Sequence, residues 1–303
     1  FDKLDRWIDM CRRCGIKYFE MSHLFTQWGA EHAPKIVAEV DGEKKRIFGW
    51  ETDADSEEYR DFLHRFAAAL TAFIDRKGIR NFCRFHVSDE PSLEQYEVYK
   101  KRADLIAEIF PGFKVIDALS DIEFFDKGAV KYPVPSEDHV EDFVGKVDEF
   151  WTYYCCGQHN KNVPNRFFAM PSARNRILGT LLYKYNATGF LQWGYNYWYS
   201  QFSKYEIDPF TVTDAGKAFP SGDAFVVYPG EYGQPINSLR FKVFYDGLQD
   251  LAAMRLLESL VGREKALEIA IQDDELTFQK YPHGSSYLLA LRERVNKAIK
   301  ENI

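Results

Sequence analysis

The alternation of strand-like and helix-like segments constrains this chain most. Strands are expected at residues 16–21, 82–87, 114–119, 130–134, 149–156 and 189–193, each an apolar, β-prone run. Helical periodicity occupies 2–14, the stretch after Asp55 up to Gly78, 92–110, the stretch after Ser136 and 172–185. Strands joined through helices run parallel, with right-handed crossovers. Six such repeats in about 200 residues predict an α/β chain of the (β/α)8 TIM type, a barrel that needs eight strands. The chain starts on Phe1 inside an amphipathic helix, so the two remaining strands are expected upstream of it. Residues 1–200 are expected to form the incomplete barrel. Residues 201–303 should be a loop-rich segment and a helical C-terminal extension packed on it, with Phe244, Leu248, Leu251 and Ala252 as one apolar face. Between the first two strands, residues 36–40 and 46–48 read as a hairpin turning at Asp41-Gly42.

Composition removes several classes of function. A chain of 303 residues that is 46% hydrophobic and 28% charged is globular. A net charge of −7 leaves no basic footprint, so nucleic acid is not an expected partner. No apolar run is long enough to span a membrane. The cysteines are Cys11, Cys14, Cys83, Cys155 and Cys156, an odd count without the spacing of a disulfide scaffold. They favour a reducing, cytoplasmic setting over a secreted one. Cys11-x-x-Cys14 has no second ligand pair, so packing explains it better than a metal. No cofactor and no metal are expected. There is no phosphate-binding Gly-rich loop, no Gly-x-Ser-x-Gly elbow and no His-Glu-x-x-His pair.

One strand end carries the chemistry. In Arg84-Phe85-His86-Val87-Ser88-Asp89-Glu90-Pro91 the strand runs into two adjacent carboxylates and stops at proline. Ser92-Leu93-Glu94-Gln95 then fits a capping box opening the next helix. The bland alternative is a solvated acidic turn at a helix start. Parallel strands of a barrel deliver their last residues to one rim. The expected rim holds His23, His86, Asp89, Glu90, Tyr132, Trp151, Tyr153, Trp193, Tyr195, Asn196 and Trp198. Two acids among Trp, Tyr, His and Asn suit a sugar, whose faces stack on rings and whose hydroxyls need donors and acceptors. Adjacent carboxylates are poorly placed as acid and nucleophile across one bond, which takes about 5 Å between them. Substrate assistance tolerates adjacency, because the acetamido oxygen of the sugar attacks its own anomeric carbon. Glu90 is then the expected general acid/base, its pKa raised by aromatic surroundings and by Asp89, while ionised Asp89 holds the acetamido N–H. Two other readings remain: double displacement with a distant nucleophile such as Asp208 or Asp223, and a decayed barrel that only binds carbohydrate.

The ordered set of motifs resembles the catalytic domain of glycoside hydrolase family 123 and its relatives. The resemblance rests on Ser22-His23-Leu24-Phe25, on Phe85 to Pro91, on Trp151-Thr152-Tyr153-Tyr154-Cys155-Cys156 and on Pro164-Asn165. It continues in Gly189-Phe190-Leu191-Gln192-Trp193 with Asn196 and Trp198, and in Tyr228-Pro229-Gly230, over roughly residues 17–250. It implies a β-N-acetylgalactosaminidase on a (β/α)8 barrel, retaining by substrate assistance and usually preceded by a β-sandwich. The family's Asp-Glu pair falls on Asp89 and Glu90. Its aromatic positions fall on Trp151, Tyr153, Trp193 and Trp198, with Tyr153 as donor to the acetamido oxygen. Gln192 departs from the pattern, where tyrosine is commoner. The implied partner is an oligosaccharide or glycan.

Overall fold

The computed structural model describes residues 1–272 and 275–303, in two compact units, Phe1–Val134 and Pro135–Ile303. The first unit runs α1 (Asp2–Arg13), β1 (Phe19–Glu20), β2 (Ile36–Val40), β3 (Glu43–Phe48), α2 (Glu57–Lys77), β4 (Cys83–Phe85), α3 (Tyr96–Ile109), β5 (Lys114–Ala118), α4 (Glu123–Asp126) and β6 (Tyr132–Val134). Helix α1 buries Ile8 and Cys11, and α2 ends on left-handed Gly78 at φ 63°. Asp41 and Gly42 both have positive φ, 53° and 82°, which is the type I′ geometry that joins β2 to β3.

The four remaining strands form a parallel sheet in the order β1-β4-β5-β6, with Phe19 beside Cys83, Arg84 beside Lys114 and Ile116 beside Tyr132. Its core is aromatic. Phe85 packs at 4.2 Å from Phe110 and 4.9 Å from Phe113, centroid to centroid. Asp117 stands buried in the middle of β5.

The second unit runs β7 (Trp151–Tyr153), α5 (Ala173–Arg176), α6 (Leu178–Lys184), β8 (Gly189–Leu191), β9 (Val227–Pro229), β10 (Pro235–Asn237), α7 (Leu239–Val261), α8 (Arg263–Ala270) and α9 (Ser285–Asn302). Strands β7 and β8 pair in parallel, and β9 and β10 antiparallel. The mixed α/β character and the parallel pairing agree with expectation. The barrel does not: the sheets are not closed into one. The strands are shorter than the apolar runs that announce them, and the reason is local. Pro133 and Pro135 have no N–H to give a ladder, and Val87 gives its N–H to the Asp117 carboxylate instead of a neighbouring carbonyl.

Two helices also differ from expectation. After Ser136 the chain makes only a single 3-10 turn, Val140–Asp142. There the Ser136 hydroxyl lies 2.7 Å from Asp138 and 3.0 Å from His139, and Gly145 takes a φ of 77°. In α7 the buried positions are Gly247, Asp250, Ala253, Met254 and Leu257, while Leu248 and Ala252 face outward. Gly247 comes so close to α6 that a Cβ on Gly179 would lie 1.8 Å from its carbonyl oxygen. The expected helical C-terminal segment includes Asp273 and Asp274, which lie outside the described residues. Among the described residues no helix is long and apolar enough to cross a membrane. Among the described residues none of the five cysteines forms a disulfide.

Candidate active site

The acid pair stands where β4 ends. His86, Val87 and Ser88 are buried, Asp89 is half-buried and Glu90 is exposed. Glu90 has a φ of 47°, a left-handed conformation that costs a non-glycine residue about 1 kcal/mol or more. Both acids lie beyond the ladder, which ends at Phe85, so they are not bound to its opposite faces. Three hydrogen bonds fix the tip. The Glu90 N–H donates to the Ala118 carbonyl at 2.9 Å, and Trp28 N–H donates to the Asp89 carbonyl at 3.0 Å. Ser88 Oγ donates to the Thr26 carbonyl at 2.9 Å. Beyond Pro91 the expected capping box is present, with Ser92 N–H donating to Gln95 Oε1 at 2.9 Å. Gln95 Nε2 donates in turn to the Trp28 carbonyl, so the loop after β1 is tied to the acid tip.

Around this tip lies a group of charges. His86 is 5% exposed and sits between two carboxylates, with Nδ1 3.4 Å from Asp117 Oδ1 and Nε2 3.5 Å from Glu20 Oε2. Burial pulls its pKa down, but the two carboxylates outweigh burial and lift it to about 9. The His23 ring lies tilted beside it, centroids 4.6 Å apart, and burial together with the His86 charge lowers its pKa. Asp89 is raised to about 7 by burial first, then by the charges of Glu90 and Asp117, against an opposing pull from His86. The sequence reading assigned Asp89 the ionised role, and in the free protein these surroundings hold its carboxyl well above the ordinary aspartate range.

His23, His86 and Asp117 each offer one ligand atom, all within 4.8 Å of one another. A tetrahedral zinc ion with bonds of about 2.0–2.1 Å draws its ligands to roughly 3.4 Å apart. Both His86 nitrogens already face carboxylates, an arrangement that suits a proton better than a metal. Tyr132, the last of the first unit's expected site residues, is half-buried on β6, with the ammonium groups of Lys114 and Lys131 5.0 and 5.5 Å from its ring centroid.

In the second unit, Tyr153 is buried and its main chain pairs with Pro135 and Glu137. Trp151 is half-buried across Gly189, where a Cβ would meet the indole at 2.1 Å. Trp193 is 42% exposed and leans edge-on against Tyr197 and Phe219, both at 5.3 Å. Asn196 is exposed, its main chain bridged to Phe225. Trp198 is half-buried, with its indole N–H donated to the Val227 carbonyl at 3.0 Å. Asp208 is exposed, and its carboxylate accepts from Phe210 N–H and the Thr211 hydroxyl as a turn cap. Asp223 is fully buried and raised to about 6 by that burial, with Arg166, Trp193 and Arg240 pulling it back. Sequence reasoning missed Asp117 and Glu137, both fully buried acids. The only signal for Asp117 was a carboxylate inside an apolar strand.

Comparison with known proteins bears on this arrangement. A family model described as "Glycoside hydrolase 123, catalytic domain" matches residues 1–257. The search of curated proteins gave no match. Among solved structures, the chain is similar to one described as "The details of glycolipid glycan hydrolysis by the structural analysis of a family 123 glycoside hydrolase from Clostridium perfringens". The two share 16% identity at a TM-score of 0.62, over 98% of this chain and 54% of that one. That likeness is one of fold, and this chain spans about half the length of its relative. The family match, by contrast, covers most of the sequence and includes β4 and the acid pair Asp89 and Glu90 that follows it, and on that ground the chain belongs to glycoside hydrolase family 123.

Proposed function

We propose that this chain supplies the catalytic domain of a retaining glycoside hydrolase that releases a terminal N-acetylhexosamine, with β-linked N-acetylgalactosamine as the leading candidate. The observation that carries the reading is the pair of consecutive carboxylates in the segment that leaves a parallel strand, one half-buried and one exposed, the second in a left-handed turn. Catalysis runs by substrate assistance. Exposed Glu90 protonates the leaving oxygen and then deprotonates the incoming water, while Asp89 accepts the acetamido N–H and orients the amide oxygen toward the anomeric carbon. His23 and Tyr132 are proposed to bind substrate, as are Trp151, Tyr153, Trp193, Asn196 and Trp198. Trp193 has the most open ring of these for stacking on a sugar face. Membership of a glycosidase family and the relative's glycolipid glycan hydrolysis support a glycan as substrate.

The test is release of nitrophenol from paired aryl glycosides. Turnover of the N-acetylgalactosaminide with none of the plain galactoside is the expected result. Equal rates on both exclude assistance by the acetamido group, and trapping of a labelled carboxylate by a 2-fluoro sugar establishes double displacement instead. The pH profile gives a second check. Asp89 must be ionised to hold the amide, and its pKa in the free protein is about 7. The acidic limb of kcat/KM is therefore expected near pH 7, falling tenfold per unit below it, and not near 4 as for an ordinary aspartate.

A further inference from the structure

We infer that Asp117, together with His86, is a positioning residue for the acid pair. The inference rests on the catalytic reading of Asp89 and Glu90 and adds to it a residue outside the substrate's reach.

Asp117 is fully buried in β5, so it touches no substrate. Burying a carboxylate is costly unless it is hydrogen-bonded, and the partners of Asp117 converge on the acid tip. Both its oxygens accept the Val87 N–H, at 3.0 and 3.1 Å. The Tyr99 hydroxyl from α3 donates to Oδ2. The His86 imidazole closes the set at 3.4 Å. Val87 stands two residues before Asp89, and its capture by a side chain is what ends the ladder after Phe85. The next residue of β5, Ala118, accepts the Glu90 N–H. Both ends of the segment carrying the acids are therefore tied to consecutive residues of one strand. This tether opposes the strain of the left-handed Glu90.

The electrostatic part follows from the same contacts. His86 faces Asp117, Glu20 and His23, and Asp89 faces Glu90, Asp117 and His86. Asp117 and Glu20 keep the imidazole charged, and that cation favours ionised Asp89. Without it, burial and two neighbouring carboxylates would hold Asp89 protonated further into the alkaline range.

The test uses the full chain, with Asp117→Asn and His86→Gln assayed for kcat, KM and pH profile on an aryl N-acetylgalactosaminide. His86→Gln is expected to move the acidic limb of kcat/KM upward by about one unit, a tenfold loss at pH 6 that largely recovers by pH 8.5. Asp117→Asn is expected to lower kcat about tenfold or more with KM within twofold. A purely structural role predicts lower melting temperatures with kcat and pH limb unchanged, and that result overturns the inference. If Asp117→Asn does not fold, the limb of His86→Gln decides alone. Absence of turnover in the parent chain would refute the proposed function, not the coupling. The coupling is then read by carboxyl carbon-13 NMR titration of Asp89, which must move upward in His86→Gln. An unmoved titration sinks it.

Discussion

Glu90→Gln is expected to lower kcat for an N-acetylhexosaminide with a poor leaving group, such as another sugar, by about 10²–10⁴-fold, the range lost with a general acid. With a dinitrophenyl leaving group, which departs without a proton, the same variant should keep most of the rate of the first step. Asp89→Asn should show no such dependence, because the amide must be oriented whatever leaves. An equal loss for Glu90→Gln on both leaving groups would remove it from the acid's role. Asp89→Asn has a further expected consequence that does not depend on turnover. The Asp89 pKa is raised on folding, from the ordinary value near 4 to about 7. Ionisation of this carboxyl therefore opposes folding. The penalty is absent below about pH 4, grows as pH rises toward 7 and is complete above it, at roughly 1.4 kcal/mol per unit of elevation. The asparagine variant should accordingly melt above the parent at pH 8, with the gap closing toward pH 4. A gap of the same size at both ends would mean that Asp89 is not the group whose ionisation strains the fold. Activity and stability pulling apart at one residue is what a site built for chemistry shows.

The parts of this molecule that were legible in the sequence are those decided by neighbouring residues. The Asp41-Gly42 turn, the Gly78 helix stop and the reciprocal Ser92 and Gln95 cap all follow from side chains acting on their own backbone. Parallel pairing of β4 with β5 follows from the helix between them. Periodicity failed where a side chain took over a backbone hydrogen bond. Ser136 binds Asp138 and His139 and no helix forms, and Asp117 takes the Val87 N–H and the strand ends early. The site was legible to the same extent. Asp89 and Glu90 stand out because acids at a strand end before proline are unusual. Asp117 shows only as a carboxylate inside an apolar strand, because its role depends on α3 and β4 meeting it, which no spacing records. The shift of Asp89 to about 7 comes from burial and from the convergence of Asp117 and Glu90, so it too emerges only with the fold.

Helix α7 gives the other large expected effect, in stability. Its buried face was expected to be apolar and instead centres on Asp250, which is 0% exposed. Arg176 from α5 grips it with two hydrogen bonds, 2.7 Å from Nε and 3.0 Å from Nη2, and Arg292 from α9 adds a third at 3.0 Å. One carboxylate thus joins three helices. Asp250→Ala leaves the part-buried guanidinium groups of Arg176 and Arg292 without their shared carboxylate, a loss of about 3 kcal/mol, at the low end for breaking a buried pair. The expected observation is a large fall in the denaturant midpoint with little change in slope. Two contrasts identify the cause. Replacing the whole triad at once, Asp250→Leu with Arg176→Met and Arg292→Met, should recover much of the loss, because apolar side chains of similar volume often replace a buried ion group without penalty. Gly179→Ala should be destabilising by a different route, since its new Cβ meets the Gly247 carbonyl and forces α6 away from α7. If Asp250→Ala instead shifts the midpoint by no more than a surface substitution would, about 0.5 kcal/mol, then the three helices are held by their apolar contacts alone and the ion triad only sets their alignment.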